Sequence, residues 1–375
     1  MKKKILFIFG TRPEAIKLAP LIILGKQNRN FRVFTCSTGQ HKEMLSQVID
    51  FFSIKIDYSL RVMKPNQSLS YLTGEIAKGL EDIISETKFD LIIVQGDTTT
   101  AFIGSLIAFY HKIPIAHVEA GLRTHDKYAP FPEESNRAMI SRISDFNFTP
   151  TVVSQKNLLR ENIDSKNIFI TGNTVIDALL LGRKIIKSKT WSKKLKKEFE
   201  YLPKNKRLIL VTGHRRESFG LPFENICNAI KTVAEQRKDI HIIYPVHLNP
   251  NVRKPVMNIL GNINNITLIE PVSYPEMIYL MEFADVILTD SGGVQEEAPS
   301  FCKPVFVMRD VTERPEGITA GVAKLVGSDS KKIVSNIIKV LNDDKYYKSF
   351  SLRKNPYGDG KASLRILNIF EEVLR

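Results

Sequence analysis

A chain of 375 residues with 43% hydrophobic content is long enough for two domains and too apolar to remain disordered. Its formal charge of +14 admits nucleic acid, an anionic membrane or a phosphorylated small molecule as partner. Much of that excess is scattered lysine, as in residues 184–197 and 331–354, with no aromatic-interleaved basic stripe and no nucleic-acid motif. The expectation is a solvated basic surface with a few cations gathered at a phosphate site, and neither nucleic acid nor membrane as a partner. No apolar run reaches the roughly 18 residues of a membrane span. Cys36, Cys227 and Cys302 are odd in number, far apart and set in apolar surroundings. They read as buried thiols of a reducing cytosol, with no support for a disulfide or a metal site.

Taken in chain order, Met1-Lys2-Lys3-Lys4 has the look of a signal n-region, but the apolar run 5–9 is too short for one and meets Gly10-Thr11-Arg12. It is expected as a first buried strand. Further strands are expected at 32–37, 91–95, 113–118, 146–149 and 168–171, with helices near 14–28, 41–51, 68–86, 98–110, 133–143 and 151–162. Residues 184–206, rich in lysine and holding the lone Trp191, read as helices plus an exposed connection. The pattern then restarts, with strands at 208–212, 241–245, 267–269, 286–289, 304–307 and 323–326. A last helix, 363–374, suits either half. The implied fold is α/β: two Rossmann-like doubly wound domains facing a cleft. The first comprises 1–171, joined by 360–375, and the second 172–359.

The chemistry-bearing residues cluster where strands end, which is where open α/β sheets bind ligands. After the first strand, Gly10-Thr11-Arg12-Pro13-Glu14-Ala15-Ile16-Lys17 opens a helix whose N-terminal amides, with Arg12 and Lys17, would suit a phosphate. A plain helix cap with surface cations explains it equally well. Asp97, in Gln95-Gly96-Asp97-Thr98, reads by default as an N-cap. Glu119 ends the strand at 113–118, and Pro130 and Pro132 lead to Glu133 at a helix start. If the strands before Asp97 and Glu119 are neighbours, both carboxylates open onto one edge, where a carboxylate is a general-base candidate.

In the second half, Gly213-His214-Arg215-Arg216-Glu217 follows the first strand, and Asp290-Ser291-Gly292-Gly293-Val294-Gln295-Glu296-Glu297 joins a strand to a helix. The latter suits a nucleotide diphosphate, with Glu296 and Glu297 expected in the first helical turn. Either a favourable dipole position or ribose hydroxyls would explain those two carboxylates. The charge-dense stretch 308–316 follows another strand, and His41 and His247 occupy turn contexts.

Together these stretches closely resemble the non-hydrolysing UDP-N-acetylglucosamine 2-epimerase family. The matching segments are GTRPEAIKLAP from Gly10, QGDTTT from Gln95, HVEAGLRT from His117, PEESNR from Pro132, GNTVID from Gly172, GHRRE from Gly213, YPVHLNP from Tyr244, DSGGVQEE from Asp290, TERP from Thr312 and NPYGDGKAS from Asn355. The resemblance implies a glycosyltransferase-B type fold and a cytoplasmic homodimer. It also implies interconversion of UDP-GlcNAc and UDP-ManNAc without a cofactor, in bacteria a supply for surface polysaccharide. The C2 hydrogen of the sugar is not beside a carbonyl, and the chain carries no dinucleotide fingerprint for transient oxidation. Elimination of UDP to a 2-acetamidoglycal and re-addition is the remaining route.

By resemblance, Asp97, Glu119 and Glu133 handle protons, and His214 and Arg12 hold or assist the leaving UDP, with Lys17 an additional candidate. Ser291, Gly292 and Glu297 match the diphosphate and ribose contacts, and Arg314 is expected to bind the substrate. Gln40, His41, Gln67, Glu133, Arg215 and His247 fall where some bacterial members bind a second UDP-GlcNAc as activator. Asn66 stands where such members carry arginine, and Met277 where some carry an aromatic residue near the uracil. The alternatives are a hydrolysing epimerase, an epimerase of another UDP-amino sugar, a glycosyltransferase, a UDP-sugar sensor and a nucleic-acid binder.

Overall fold

The computed structural model describes residues 2–39, 42–64 and 67–374. It contains two compact units, Met1–Leu181 with Tyr357–Arg375, and Gly182–Pro356. In the first, seven parallel strands form the sheet: β1 (Lys3–Phe9), β2 (Phe31–Ser37), β3 (Tyr58–Ser59), β4 (Leu91–Gln95), β5 (Ile115–Val118), β6 (Phe146–Thr149) and β7 (Ile168–Ile170). Their spatial order is β3-β2-β1-β4-β5-β6-β7. Residues 5–9 and 91–95 are buried without alternation, as a parallel sheet covered on both faces requires. Helix Leu69–Glu86 shows how the cover is made. Leu72, Ile76, Leu80 and Ile84 recur every four residues and form its buried stripe. The two-residue β3 was not expected, because a strand that short carries no readable periodicity.

The strand order reverses between β1 and β4. Connections on the two sides of that point leave toward opposite faces, so a crevice opens at the carboxyl ends of these strands. β5 is the next neighbour, with Gln95 opposite Val118. The loops carrying Arg12, Asp97 and Glu119 therefore emerge side by side.

The second unit repeats the scheme with β8 (Arg207–Thr212), β9 (Ile240–Pro245), β10 (Ile266–Ile269), β11 (Val286–Thr289), β12 (Val305–Val307) and β13 (Ala323–Leu325). The order is β10-β9-β8-β11-β12-β13, again all parallel, with the reversal between β8 and β11. Val211, Phe223, Ile230, Ile242, Leu288 and Phe306 belong to its core. Each unit is a Rossmann-like doubly wound α/β domain.

Two expectations need correction. Residues 172–181 pack with the first unit, beyond the expected boundary at 171. The cause is the returning C-terminal segment. Tyr357 buries against Val175 and Ile176, and its carbonyl accepts the Asn173 N–H at 2.7 Å. The Asp177 carboxylate then accepts the Ala362 and Ser363 N–H groups at the start of the last helix, Ala362–Val373. That helix docks on the first unit, with the Phe370 ring edge-on to Phe146 and Phe148. The second correction concerns Cys302. Cys36 and Cys227 are buried, and burial pushes both thiols up to about 12. Cys302 is exposed, because it ends the 3-10 turn Ala298–Phe301 in the left-handed conformation (φ +57°) and turns outward. Among the described residues no helix is long and apolar enough to cross a membrane.

Candidate active site

Glu119 is the centre of the first unit's site. It directly follows β5 with φ +67°, a backbone conformation that non-glycine residues adopt rarely and that recurs at functional sites. Lys17 Nζ donates to both of its carboxylate oxygens at 2.6 Å. Gln95 Nε2 donates to Oε2, and Asn173 Nδ2 to Oε1 at 2.9 Å. The side chain is buried, so these charge-assisted bonds form away from water, where they are strong. The turn that sets Glu119 depends on Gly121. A Cβ there would lie 2.3 Å from the Ser154 carbonyl oxygen, and its φ is +88°.

Asp97 is not the helix cap that its position suggests. Thr98 caps helix Thr99–Tyr110, its Oγ1 accepting the Ala101 N–H at 3.0 Å. The Asp97 carboxylate instead meets Arg137 Nη2 at 2.8 Å, and its carbonyl accepts Asn136 Nδ2 at 2.9 Å. Burial raises its carboxyl above the usual aspartate range; Arg137 and Lys17 oppose the rise, and Glu119 and Glu133 add to it. Yet 28% of the side chain stays exposed, so the carboxyl can exchange protons with what enters the site. Glu133 is the first residue of helix Glu133–Ile143, half-buried and within electrostatic reach of Asp97.

Two further buried groups hold these loops. Glu14 accepts the Gly10 and Thr11 N–H groups at 3.0 and 2.8 Å and the Thr98 hydroxyl at 2.7 Å, which joins the loop after β1 to the loop after β4. His117 lies in β5 with Nε2 2.7 Å from the Gly96 carbonyl. Burial pulls its imidazole down to about 4, so it is neutral at neutral pH and donates that bond. Arg12 and Lys17 come from helix Arg12–Gln27.

In the second unit, the buried Asp290 at the end of β11 organises the loop after β8. Its Oδ2 accepts the His214 and Arg215 N–H groups at 2.6 and 2.8 Å, and Oδ1 lies 3.5 Å from His214 Nδ1. His214 stacks on His247, ring centroids 5.2 Å apart and 12° from parallel, and keeps 41% of its side chain exposed. The Arg314 guanidinium covers Gly292; a Cβ there would sit 3.1 Å from its Cζ. Arg314 Nε donates to Glu296 at 2.9 Å and Nη1 to Glu313 at 2.6 Å. Glu297 accepts the Tyr274 hydroxyl at 2.7 Å.

Glu296 and Glu297 close the six-residue helix Gly292–Glu297 rather than opening it, so the dipole explanation for them fails. In the structure Glu296 pairs with Arg314 and Glu297 with the Tyr274 hydroxyl. Arg215 Nε, Gln295 Nε2 and Arg309 Nη1 are buried polar groups with no protein hydrogen-bond partner, the arrangement expected where a polar ligand completes a site.

Of the residues expected at a second sugar-nucleotide site, Gln40 and His41 lie outside the described residues. Gln67 is half-buried and accepts the Lys64 N–H at 3.0 Å. Arg215 and His247 both adjoin His214.

Two Rossmann-like doubly wound domains in one chain, each carrying polar groups at its topological switch point, are the domain composition of the glycosyltransferase-B type fold. The family model described as UDP-N-acetylglucosamine 2-epimerase matches residues 25–371. A UDP-N-acetylglucosamine 2-epimerase of Salmonella typhimurium is 52% identical over 365 residues, covering 97% of each chain. The crystal structure of a UDP-GlcNAc 2-epimerase from Neisseria meningitidis, bound to UDP-GlcNAc, superposes with a TM-score of 0.92 at 46% identity, covering 98% of this chain and 100% of that one. The enzyme from Methanocaldococcus jannaschii, in complex with UDP-GlcNAc and UDP, gives 0.81 at 34% identity, covering 99% and 100%. The chain belongs to the UDP-N-acetylglucosamine 2-epimerase family.

Sequence reasoning singled out Asp97, Glu119 and Lys17 as candidates and did not name most of the groups that the structure places around them. Gln95 and Asp290 adjoin Asp97 and Ser291 in sequence, whereas Arg137 and Asn173 lie in the separate stretches PEESNR and GNTVID, so membership of a noted stretch was the available signal. Tyr274 carried none.

Proposed function

We propose that the chain interconverts UDP-GlcNAc and UDP-ManNAc by elimination and re-addition. A carboxylate takes the C2 proton as the C1–O bond to the diphosphate breaks, giving a 2-acetamidoglycal and UDP. UDP then re-forms the C1–O bond while a proton is delivered to the opposite face of C2. The observation that carries this reading is the pairing of Asp97 and Glu119 at the ends of adjacent strands, one open with a raised carboxyl and one fixed by an ammonium.

Asp97, Glu119 and Glu133 are assigned to the proton transfers. Arg12, Lys17 and His214 are assigned to the charge of the departing UDP, and Ser291, Gly292 and Arg314 to its diphosphate. Glu297, steadied by Tyr274, is assigned to the ribose hydroxyls. Gln40, His41, Gln67, Arg215 and His247 are assigned to a second UDP-GlcNAc acting as activator. The same reading makes the protein a cytoplasmic homodimer supplying a precursor of cell-surface polysaccharide.

Proton NMR of the protein with UDP-GlcNAc in heavy water is the test. The expected result is UDP-ManNAc with deuterium at C2. Free ManNAc as the main product would favour hydrolysis, and epimerisation without deuterium would exclude proton exchange. Asp97→Asn and Glu119→Gln should lose turnover yet bind UDP.

A further inference from the structure

Asn173 stands just before helix Thr174–Ile186 and is 2% exposed. Its polar groups point three ways. Nδ2 donates to Glu119 Oε1 at 2.9 Å. Oδ1 accepts the Val175 N–H at 3.0 Å and so caps the helix. Its backbone N–H donates to the Tyr357 carbonyl at 2.7 Å. Gly358 packs closely on the same residue, where a Cβ would lie 3.5 Å from both Asn173 N and O. The two anchors fix the Asn173 backbone and its amide plane, and with them the direction in which Nδ2 meets the carboxylate.

We propose that Asn173 is a positioning residue for Glu119, holding its carboxylate in the orientation that also receives Lys17, and that the returning segment at Tyr357 and Gly358 sets that orientation through it. This rests on the reading of Glu119 as a proton-handling group. The geometry separates the two jobs of the side chain. Aspartate at 173 keeps an oxygen to cap Val175 and keeps the backbone bond to Tyr357, but places a second carboxylate where Glu119 Oε1 needs a donor. Like charges that close disfavour the ionised pair, so the pair retains a proton to higher pH.

The experiment compares wild type, Asn173→Asp and Asn173→Ala by steady-state epimerisation between pH 6 and 9, with Tm measured for each. Asn173→Asp should keep the helix cap but lose Tm progressively as pH rises and the disfavoured pair is forced to ionise, lose kcat by roughly 10- to 100-fold near neutrality with little change in KM, and show the acid limb of its kcat profile moved to higher pH. Asn173→Ala should lose kcat with a smaller shift in the same direction, since only a donor to the carboxylate is removed, and lose Tm at every pH through the missing cap. If Asn173→Asp has the wild-type kcat and profile, the positioning role is wrong. A wild type that itself fails to exchange the C2 hydrogen overturns the functional reading instead, and the two failures are thereby distinguished.

Discussion

Lys17 and Glu119, 102 positions apart in the chain, meet with the ammonium nitrogen 2.6 Å from both carboxylate oxygens. Helix Arg12–Gln27 brings the lysine and the end of β5 the glutamate, and the sheet order makes them meet. The Glu119 side chain is only 4% exposed, so its charge depends on this partner. Lys17→Met should therefore destabilise the protein by about 3 kcal/mol in denaturant titrations, because it strands a buried charge. Lys17→Met combined with Glu119→Gln should regain more than half of that loss. Simple addition of the two single effects would show that the pair is not coupled.

His117 makes a prediction about acid. Its imidazole titrates at about 4 in the folded protein because burial opposes the charged form. Its unfolded value is near 6.5. The folded value is the lower one, so the neutral ring favours the fold above 6.5, and that contribution falls away as pH drops from 6.5 through 4. The loss is on the order of 3 kcal/mol. Tm measured against pH should fall across this window in the wild type, and His117→Gln should flatten the fall. Parallel curves for the two proteins would remove His117 from the acid response.

Two glycines of the first unit should respond in opposite directions to alanine. Gly121→Ala drives a Cβ into the Ser154 carbonyl at a positive φ and should cost ~3 kcal/mol or more, with loss of turnover as Glu119 shifts. Gly74 lies within helix Leu69–Glu86 with nothing within 4 Å of its added Cβ. Gly74→Ala should stabilise by ~0.5–1 kcal/mol through helix propensity alone. Chemical denaturation of both variants checks the pair.

Sequence alone carried the alternation of strand and helix, the stretches at strand ends and the family they resemble. Apolar runs such as LIIVQ admit little but a buried parallel strand, and a glycine with acidic or basic neighbours after such a run marks a ligand edge. Local chemistry of this kind is written in consecutive residues. Tertiary structure decided which partners those residues meet. Asp97 looked like an N-cap until Thr98 took that bond and Arg137 took the carboxylate. Glu296 and Glu297 looked like dipole partners until they fell at the far end of a six-residue helix. The anchor of Glu119 comes from Lys17, Gln95 and Asn173, and Asn173 in turn from Tyr357, nearly two hundred residues on. Hydrogen-bond partners across a sheet are set by strand order and register, and neither quantity is local to the residues that use it.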